Sequence, residues 1–441
     1  MLTLYMLGKF LIVYCLFQTW TVSAQTWANM GSGFNTTVLT ICPNLNGDSV
    51  FVGGRFNNSG GVGMSNIAIW TGNQWKQPGS GLDNVVRGIA QIDGKMYVGG
   101  EFAYYKDSLL NCFGVWDGTG FTGYNRGFFK SGQHSVSATV NAIVKFKDQL
   151  IVGGIFDYAN NKVDYMKNVA RWNGSKWEDV SGGITGNSGV NAMLVYHDTL
   201  FVAGGFTTAG ASTAFNIARW DGTTWRAAGA GLNYEVICLE VHNDILYAGG
   251  VFTKSGTDEI LNIARWDGTA WQPVSTGING PVYALQSYAG KLVAGGLFTK
   301  AGGNTCSNLA SWNEQQWQSA GDANGMVRSL AASGFLHAGG DFTTMNGISA
   351  SRIASIYLPN AIQNLSSETF KIYPNPASDY LHFDIQSPHA FKTITVYGSD
   401  GKEITTQPFV ATMNIQSWKP GMYWVVLRSD EGVVKRAVMV E

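Results

Sequence analysis

Six aromatic side chains stand where this chain departs from its own pattern. Tyr104 and Tyr105 lie in the stretch 103–111 (AYYKDSLLN), Phe128 and Phe129 in 128–139 (FFKSGQHSVSAT), and Tyr158 and Tyr165 in 157–167 (DYANNKVDYMK). Lys130, His134, Asp157 and Asp164 are interleaved with them. Rings set among polar groups suit a surface that stacks on a ligand and hydrogen-bonds its edges. A second set is charged: Arg55, Glu101 and Asp341, with Arg87 and Arg328 nearby in the pattern. Such charges either orient a polar ligand or close into a salt-bridge network between neighbouring units. Glu101, Asp157, Asp164 and Asp341 are also the residue type that a polysaccharide hydrolase or lyase uses as a carboxylate pair. Histidine is scarce, and His197, His242 and His337 have no metal-ligand spacing. No Asp run suggests calcium. Neither a metal nor a cofactor is expected.

The elements that must position these residues repeat from end to end. A Gly-Gly or Ala-Gly doublet recurs at Gly53, Gly99, Gly153, Ala203, Gly249, Gly295 and Gly339, each 44 to 54 residues after the last. Two residues after each doublet comes Phe: Phe56, Phe102, Phe156, Phe206, Phe252, Phe298 and Phe342. Each unit reads as four short strands, A to D. A tight hairpin joins A to B, a variable loop joins B to C, and Asp-Gly or Asn-Gly turns such as Asp221-Gly222 and Asp267-Gly268 join C to D. A period of this length with Gly doublets and aromatics predicts a seven-bladed β-propeller. The outer-strand aromatic occurs at Trp75, Phe121, Trp177, Trp225, Trp271 and Trp317, and a seventh stands at Trp27. The last repeat lacks a strand D, so residues 27–33 are expected to supply it and leave no open edge. The motif resembles kelch-like and delta-60-like propeller repeats over about residues 25–358. That resemblance speaks to fold and is nearly silent on function.

On this frame the B–C and D–A loops share one face, and all three aromatic stretches fall there, over the second and third blades. They form a ligand platform or simply pack on one another. The residue between doublet and Phe is charged in three neighbouring blades, at Asp341, Arg55 and Glu101, and Ile155, Gly205, Val251 and Leu297 in the rest. Twelve tryptophans also invite a sugar-binding reading. Six hold the strand C position and six the strand D position, which assigns them to the core between blades. Arg171, Arg219 and Arg265 are equally bound to the repeat and read as structural contacts. Cys42 and Cys238 both lie 11 residues before a doublet, where other repeats carry Ala142, Ala192 and Ala284. They read as small core spacers, with no disulfide framework.

The flanks speak to location. Lys9, the apolar run Phe10–Phe17 and Val22-Ser23-Ala24 give residues 1–24 the form of a secretory signal peptide, too short for a membrane span. Residues 359–370 form a polar linker. Residues 371–441 alternate strands and turns as a small β-sandwich. Within it, Tyr373-Pro374-Asn375-Pro376, the Asp400-Gly401-Lys402 turn, Pro420-Gly421 with Tyr423, and a final basic-then-apolar strand resemble the type IX (Por) secretion C-terminal sorting domain. The resemblance implies export by the type IX machinery to the cell surface or medium.

A net charge of −1 with 13% charged residues gives no basic surplus for nucleic acid or anionic membrane. The expectation is an exported, non-catalytic propeller that binds a glycan or surface protein. A secreted hydrolase or lyase and a structural adhesion component are the alternatives.

Overall fold

A computed structural model describes residues 26–44, 49–131, 138–186, 188–356, 370–385, 393–398, 403–428 and 433–441. The leader, His134, the linker up to 369 and the Asp400-Gly401-Lys402 turn lie outside the described residues. The described chain is all β, with many small sheets and no closed barrel among them.

Between residues 28 and 356 the strands form seven four-stranded antiparallel sheets, together with short ribbons in the B–C loops. The fifth sheet is representative. Strand A is Val236–His242, B is Ile245–Gly250, C is Ile263–Trp266 and D is Trp271–Pro273. Strand A of each sheet packs on strand A of the next, and the seventh returns to the first. The seventh sheet borrows its outer strand from the other end of the sequence: Ala28 pairs with Ser355 and Asn29 with Ala354.

The Gly doublets mark where sheets approach most closely. A Cβ on Gly53 would come within 2.4 Å of Val86 in the next strand A, and one on Gly249 within 2.6 Å of Val282. Gly339 stands in the same relation to Val38, across the seam between the two ends of the chain. The second glycine faces its own strand A, where a Cβ on Gly250 would lie 2.3 Å from the Glu235 carbonyl. Bare backbone at both positions lets a buried valine of one sheet enter the face of the one before it.

Two further bonds tie the sheets. The strand D indoles reach back to the preceding sheet: Trp75 Nε1 donates to Met30 O at 2.8 Å, Trp225 to Val180 O at 2.8 Å and Trp27 to Ala320 O at 3.0 Å. These tryptophans are buried, and Trp75 and Trp225 pack on the strand C rings of Trp70 and Trp220, as Trp271 does on Trp266 at 5.1 Å. The residue before strand C is Asn66, Asn168, Asn216, Asn262 or Asn308 in five sheets, each at φ near +60°. Its amide donates to the loop after strand D, as Asn262 does to Ile278 O at 2.7 Å. Asparagine fits because it tolerates the left-handed region and carries its own donor.

A longer first hairpin corrects one alignment. Thr40, not Cys42, pairs with Gly53 and so holds the place of Ala142, Ala192, Cys238 and Ala284. Cys42 sits two residues further along the same strand face. Cys42, Cys112, Cys238 and Cys306 are free thiols, and burial pushes Cys112 up to about 12.

The C-terminal residues form a three-stranded sheet (Phe370–Tyr373, Tyr380–Ile385, Thr412–Asn414) and a four-stranded one (Glu403–Pro408, Thr393–Gly398, Gly421–Arg428, Val433–Val440). Leu381 and Met413 of one share a core with Ile394, Val425 and Val438 of the other.

Candidate functional site

Antiparallel order sends the B–C and D–A loops to one face of the seven sheets and the A–B hairpins and C–D turns to the other. The loop face is fixed by repeated side-chain clamps. Asn233 Oδ1 accepts from the amides of Thr253 and Lys254 at 2.8 and 2.9 Å, and Asn279 and Asn324 hold the next two ribbons in the same way. Asp83 does so for Ala103 and Tyr104.

At the third sheet the ribbon gains a strand. Phe128–Phe129 pairs with Tyr158–Ala159, which pairs with Asp164–Tyr165. Register therefore places Phe129, Tyr158 and Tyr165 in one cross-strand row. Tyr158 and Tyr165 meet edge to face at 5.3 Å, and Lys162 Nζ lies 5.3 Å from the Phe129 ring centre. Tyr165 is 56% exposed, with Phe129 and Tyr158 half-buried. At the base, Lys130 Nζ bonds Asp157 at 2.6 Å. Burial works against that carboxylate, yet the Lys130 ammonium and Ser131 donors hold it below the usual range. Asp164 accepts from Asn160 Nδ2 at 2.7 Å.

Two of the six expected aromatics do not belong to this surface. Phe128 is the inward neighbour of Phe129 in the alternation. It is buried, with its ring 4.4 Å from Phe156 and 4.8 Å from Trp177. Tyr105 is buried against Phe121 at 5.4 Å, where the second sheet lacks the strand D tryptophan. Tyr104, its neighbour, is 48% exposed.

The charged set resolves into pairs within single sheets, not a network between them. Arg87 Nε donates to Glu101 at 2.6 Å inside the second sheet, and Arg328 Nε to Asp341 at 2.7 Å inside the seventh. One link does cross a seam: Thr37 Oγ1 donates to Asp341. Arg87 and Arg328 occupy the bulge present in strand A of every sheet, which re-aims a side chain out of the ladder. Arg55 is exposed and its guanidinium has no partner among the described residues. The carboxylates Glu101, Asp157 and Asp341 are thus each engaged by a cation.

Sequence reasoning missed part of this face. Among the described residues between 26 and 356, nine large apolar side chains are exposed. Val62, Tyr104, Val163, Tyr165, Phe215, Tyr234 and Leu297 lie on the loop face; Val195 and Phe335 lie near the other. Tyr234 and Leu297 sit in connections of ordinary length, so no insertion marked them. Among the described residues no cluster of His, Cys, Asp or Glu could hold a metal ion, and no helix is long and apolar enough to cross a membrane.

In the C-terminal unit, Asn375 Oδ1 accepts the amide of Met439 at 2.8 Å, which fastens the Tyr373-Pro374-Asn375-Pro376 segment to the last strand. Tyr373 is half exposed. Tyr423 donates to Lys419 O at 2.8 Å and packs on the Trp418 ring at 4.8 Å, in the strand that Gly421 begins.

Residues 371–441 match the family of secretion system C-terminal sorting domains. This tail marks a protein exported by the type IX machinery and found outside the cell or attached to its surface. Among curated proteins, Polarized growth protein L1 of Phoma sp. (strain ATCC 20986 / MF5453) is 40% identical over 72 residues, 16% of this chain and 5% of that protein. Among solved structures, the extracellular domain of a B. thetaiotaomicron one component system aligns with a TM-score of 0.48 at 10% identity. That alignment covers 95% of this chain and 58% of the other. The computationally designed Ika8 protein aligns with a TM-score of 0.42 at 14% identity, over 94% of this chain and 99% of Ika8.

Proposed function

We propose that residues 25–358 form a seven-bladed β-propeller, related to kelch-like repeats, that binds a glycan or a surface protein through its loop face. Residues 371–441 serve as the export tail of that module. The cyclic order of the seven sheets and the N-terminal strand in the last of them support the architecture. The observation that carries the binding role is the one-sided distribution of exposed apolar side chains. Scattered surface hydrophobics need no explanation, but a concentration on one face marks an interaction surface. The row Phe129, Tyr158, Tyr165 gives that face a stacking platform, with Tyr104, Phe215 and Tyr234 as further rings. Arg55 adds a cation with no partner among the described residues, flanked in chain order around the ring by the Arg328–Asp341 and Arg87–Glu101 pairs.

The test is binding of the full chain to a broad glycan and polysaccharide array, beside a variant carrying Tyr104→Ala, Tyr158→Ala and Tyr165→Ala. A glycan retained by wild type and lost by the folded variant supports a saccharide platform. Capture of an envelope protein by wild type, lost in the same variant, supports a protein ligand. Binding that survives all three substitutions overturns the assignment of this face.

A further inference from the structure

On the opposite face, the seams between sheets are bridged unequally. Between the third and fourth sheets, Lys147 of the A–B hairpin reaches the Asp221 carbonyl in the next C–D turn. Between the fifth and sixth, Asn243 reaches Glu314 in the same way. Between the fourth and fifth, the hairpin residue is His197, and its Nε2 goes to Asp244 at 2.9 Å instead. Among the described residues that hairpin makes no hydrogen bond to the turn at Asp267-Gly268, and there is open space in front of Gly268. A cleft of about 540 Å³ results.

Arg219 lies in this cleft with an unusual set of neighbours. In the third sheet, the equivalent Arg171 faces Glu178 across the strands at 3.3 Å. In the fourth, Arg219 faces Arg226, which is itself taken by Asp221 at 2.7 Å. The Arg219 guanidinium lies 6.0 Å from the Trp266 ring centre, and its Nε, like that of Arg171, is buried with no hydrogen bond among the described residues; Arg171 has the Glu178 carboxylate at 3.3 Å, and Arg219 pairs with no carboxylate among the described residues. A buried donor without an acceptor is costly unless something outside the protein supplies one. The Tyr196 ring, stacked on His197 at 4.0 Å, forms one wall, and Phe201, Ile245 and a second arginine, Arg265, also line the cleft. Asp244 and Asp267 stand at the rim.

We propose that this cleft binds an acidic saccharide, a uronate whose carboxylate pairs with Arg219. The sugar's C–H face lies along Tyr196 and its hydroxyls donate to Asp244 and Asp267. Carboxylates accept hydroxyl hydrogen bonds and retain lone pairs beside their internal contacts. A sugar ring also presents an apolar C–H face to Tyr196 and hydroxyl donors to the two carboxylates, a combination that an acidic peptide or a phosphate lacks. This site is independent of the loop face.

The experiment titrates the full chain with galacturonate, glucuronate and mannuronate hexamers, with neutral cellohexaose as the control. At least one uronate is expected to bind, more weakly as salt rises. Arg219→Gln should lower that affinity about tenfold or more, the loss of a charge-assisted bond. Arg226→Glu gives Arg219 the internal acid that Arg171 already has, so it should weaken binding equally while the melting curve holds. It decides the matter if Arg219→Gln fails to fold. Phe335→Ala, on an exposed hairpin of the seventh sheet outside both sites, should leave uronate affinity unchanged. The proposal fails if no uronate hexamer binds, if cellohexaose binds as well, or if Arg226→Glu binds like wild type.

Discussion

The fifth and second sheets share one plan and execute it differently. The fifth has every bond of the repeat: Asn262 at φ +61° donates to Ile278 O, and Trp271 Nε1 donates to Ala228 O at 3.2 Å. The second has Cys112 at φ +72°, whose thiol points at Ala138 O, and Phe121 with no donor at all. Tyr105 fills the missing volume, beneath Gly79 of the first sheet and beside Gly120. Both keep the seam: Cβ atoms on Gly249 and Gly99 would each stand 2.6 Å from the next sheet's valine. Close approach between sheets is therefore the invariant part, and the polar ties can be exchanged for packing. The second sheet, where they are exchanged, adjoins the loops that carry Tyr104 and the Phe129, Tyr158, Tyr165 row.

The largest effects should fall on the invariant part. Gly249→Val and Gly99→Val are each expected to cost roughly 3 kcal/mol or more, because a buried valine must move, together with Cys238 Sγ at Gly249 and the Val140 carbonyl at Gly99. Urea unfolding of the two variants measures it. A tolerated Gly99→Val would mean that the second seam is looser than the fifth, and the comparison would lose its common term.

Next comes the pair of adjacent tyrosines in the second sheet. Tyr105→Ala should cost roughly 3 kcal/mol as a core truncation, and Tyr104→Ala less than about 0.5 kcal/mol. Equal effects would return Tyr105 to the surface set. The two tyrosines also mark what could be read from the sequence. The doublets, the following Phe and the outer Trp were legible, because each recurs seven times or nearly so. Trp27 even announced which sheet the N-terminal strand joins. Direction was not legible: in a two-residue strand, which of Tyr104 and Tyr105 points inward depends on Phe121 and on Gly79 of the sheet before. The reason for glycine was hidden in the same way, since Val282 lies 33 residues beyond Gly249. Cys42 was misplaced because counting residues cannot see a longer hairpin. The Asn before strand C was visible, and its left-handed backbone could have been inferred from residue type.

A smaller effect separates the two sheets by pH. Burial pushes the Glu240 carboxyl of the fifth sheet up to about 7, with only the Ser287 amide, 3.3 Å away, favouring its charge. The second sheet has no acid within its strand A. A folded pKa raised above the unfolded one stabilises the protein fully below about pH 4.5, and the contribution is lost as pH rises through about 7. The His337 imidazole of the seventh sheet works in the other sense. Burial pushes it down to about 4, so its contribution is lost as pH falls below 6.5. In Glu240→Gln the fall is removed and the His337 rise remains, so the melting temperature should climb between pH 4.5 and 7 relative to wild type, by on the order of 2 to 3 kcal/mol in stability. A Glu240→Gln profile parallel to wild type would place that carboxyl in contact with solvent.

The smallest effect bears most directly on whether packing can replace a polar tie. Trp271→Phe removes the bond to the Ala228 carbonyl and should cost roughly 1 to 2 kcal/mol, more than the loss of area alone. In the second sheet the same aromatic, Phe121, is native because Tyr105 stands beside it. Ser255 is the fifth sheet's residue at the Tyr105 position, and it is buried with its hydroxyl on Gly231 O at 2.8 Å. Ala270 stands where the second sheet has Gly120, the residue whose Cβ would press on the tyrosine ring. Trp271→Phe combined with Ser255→Tyr and Ala270→Gly therefore transplants the whole substitution. If the polar tie and the ring are interchangeable, the triple variant recovers stability relative to Trp271→Phe alone. If it is less stable than the single variant, Phe121 and Tyr105 do not compensate each other. The second sheet would then be held by something particular to its own loops, including the Arg87–Glu101 pair.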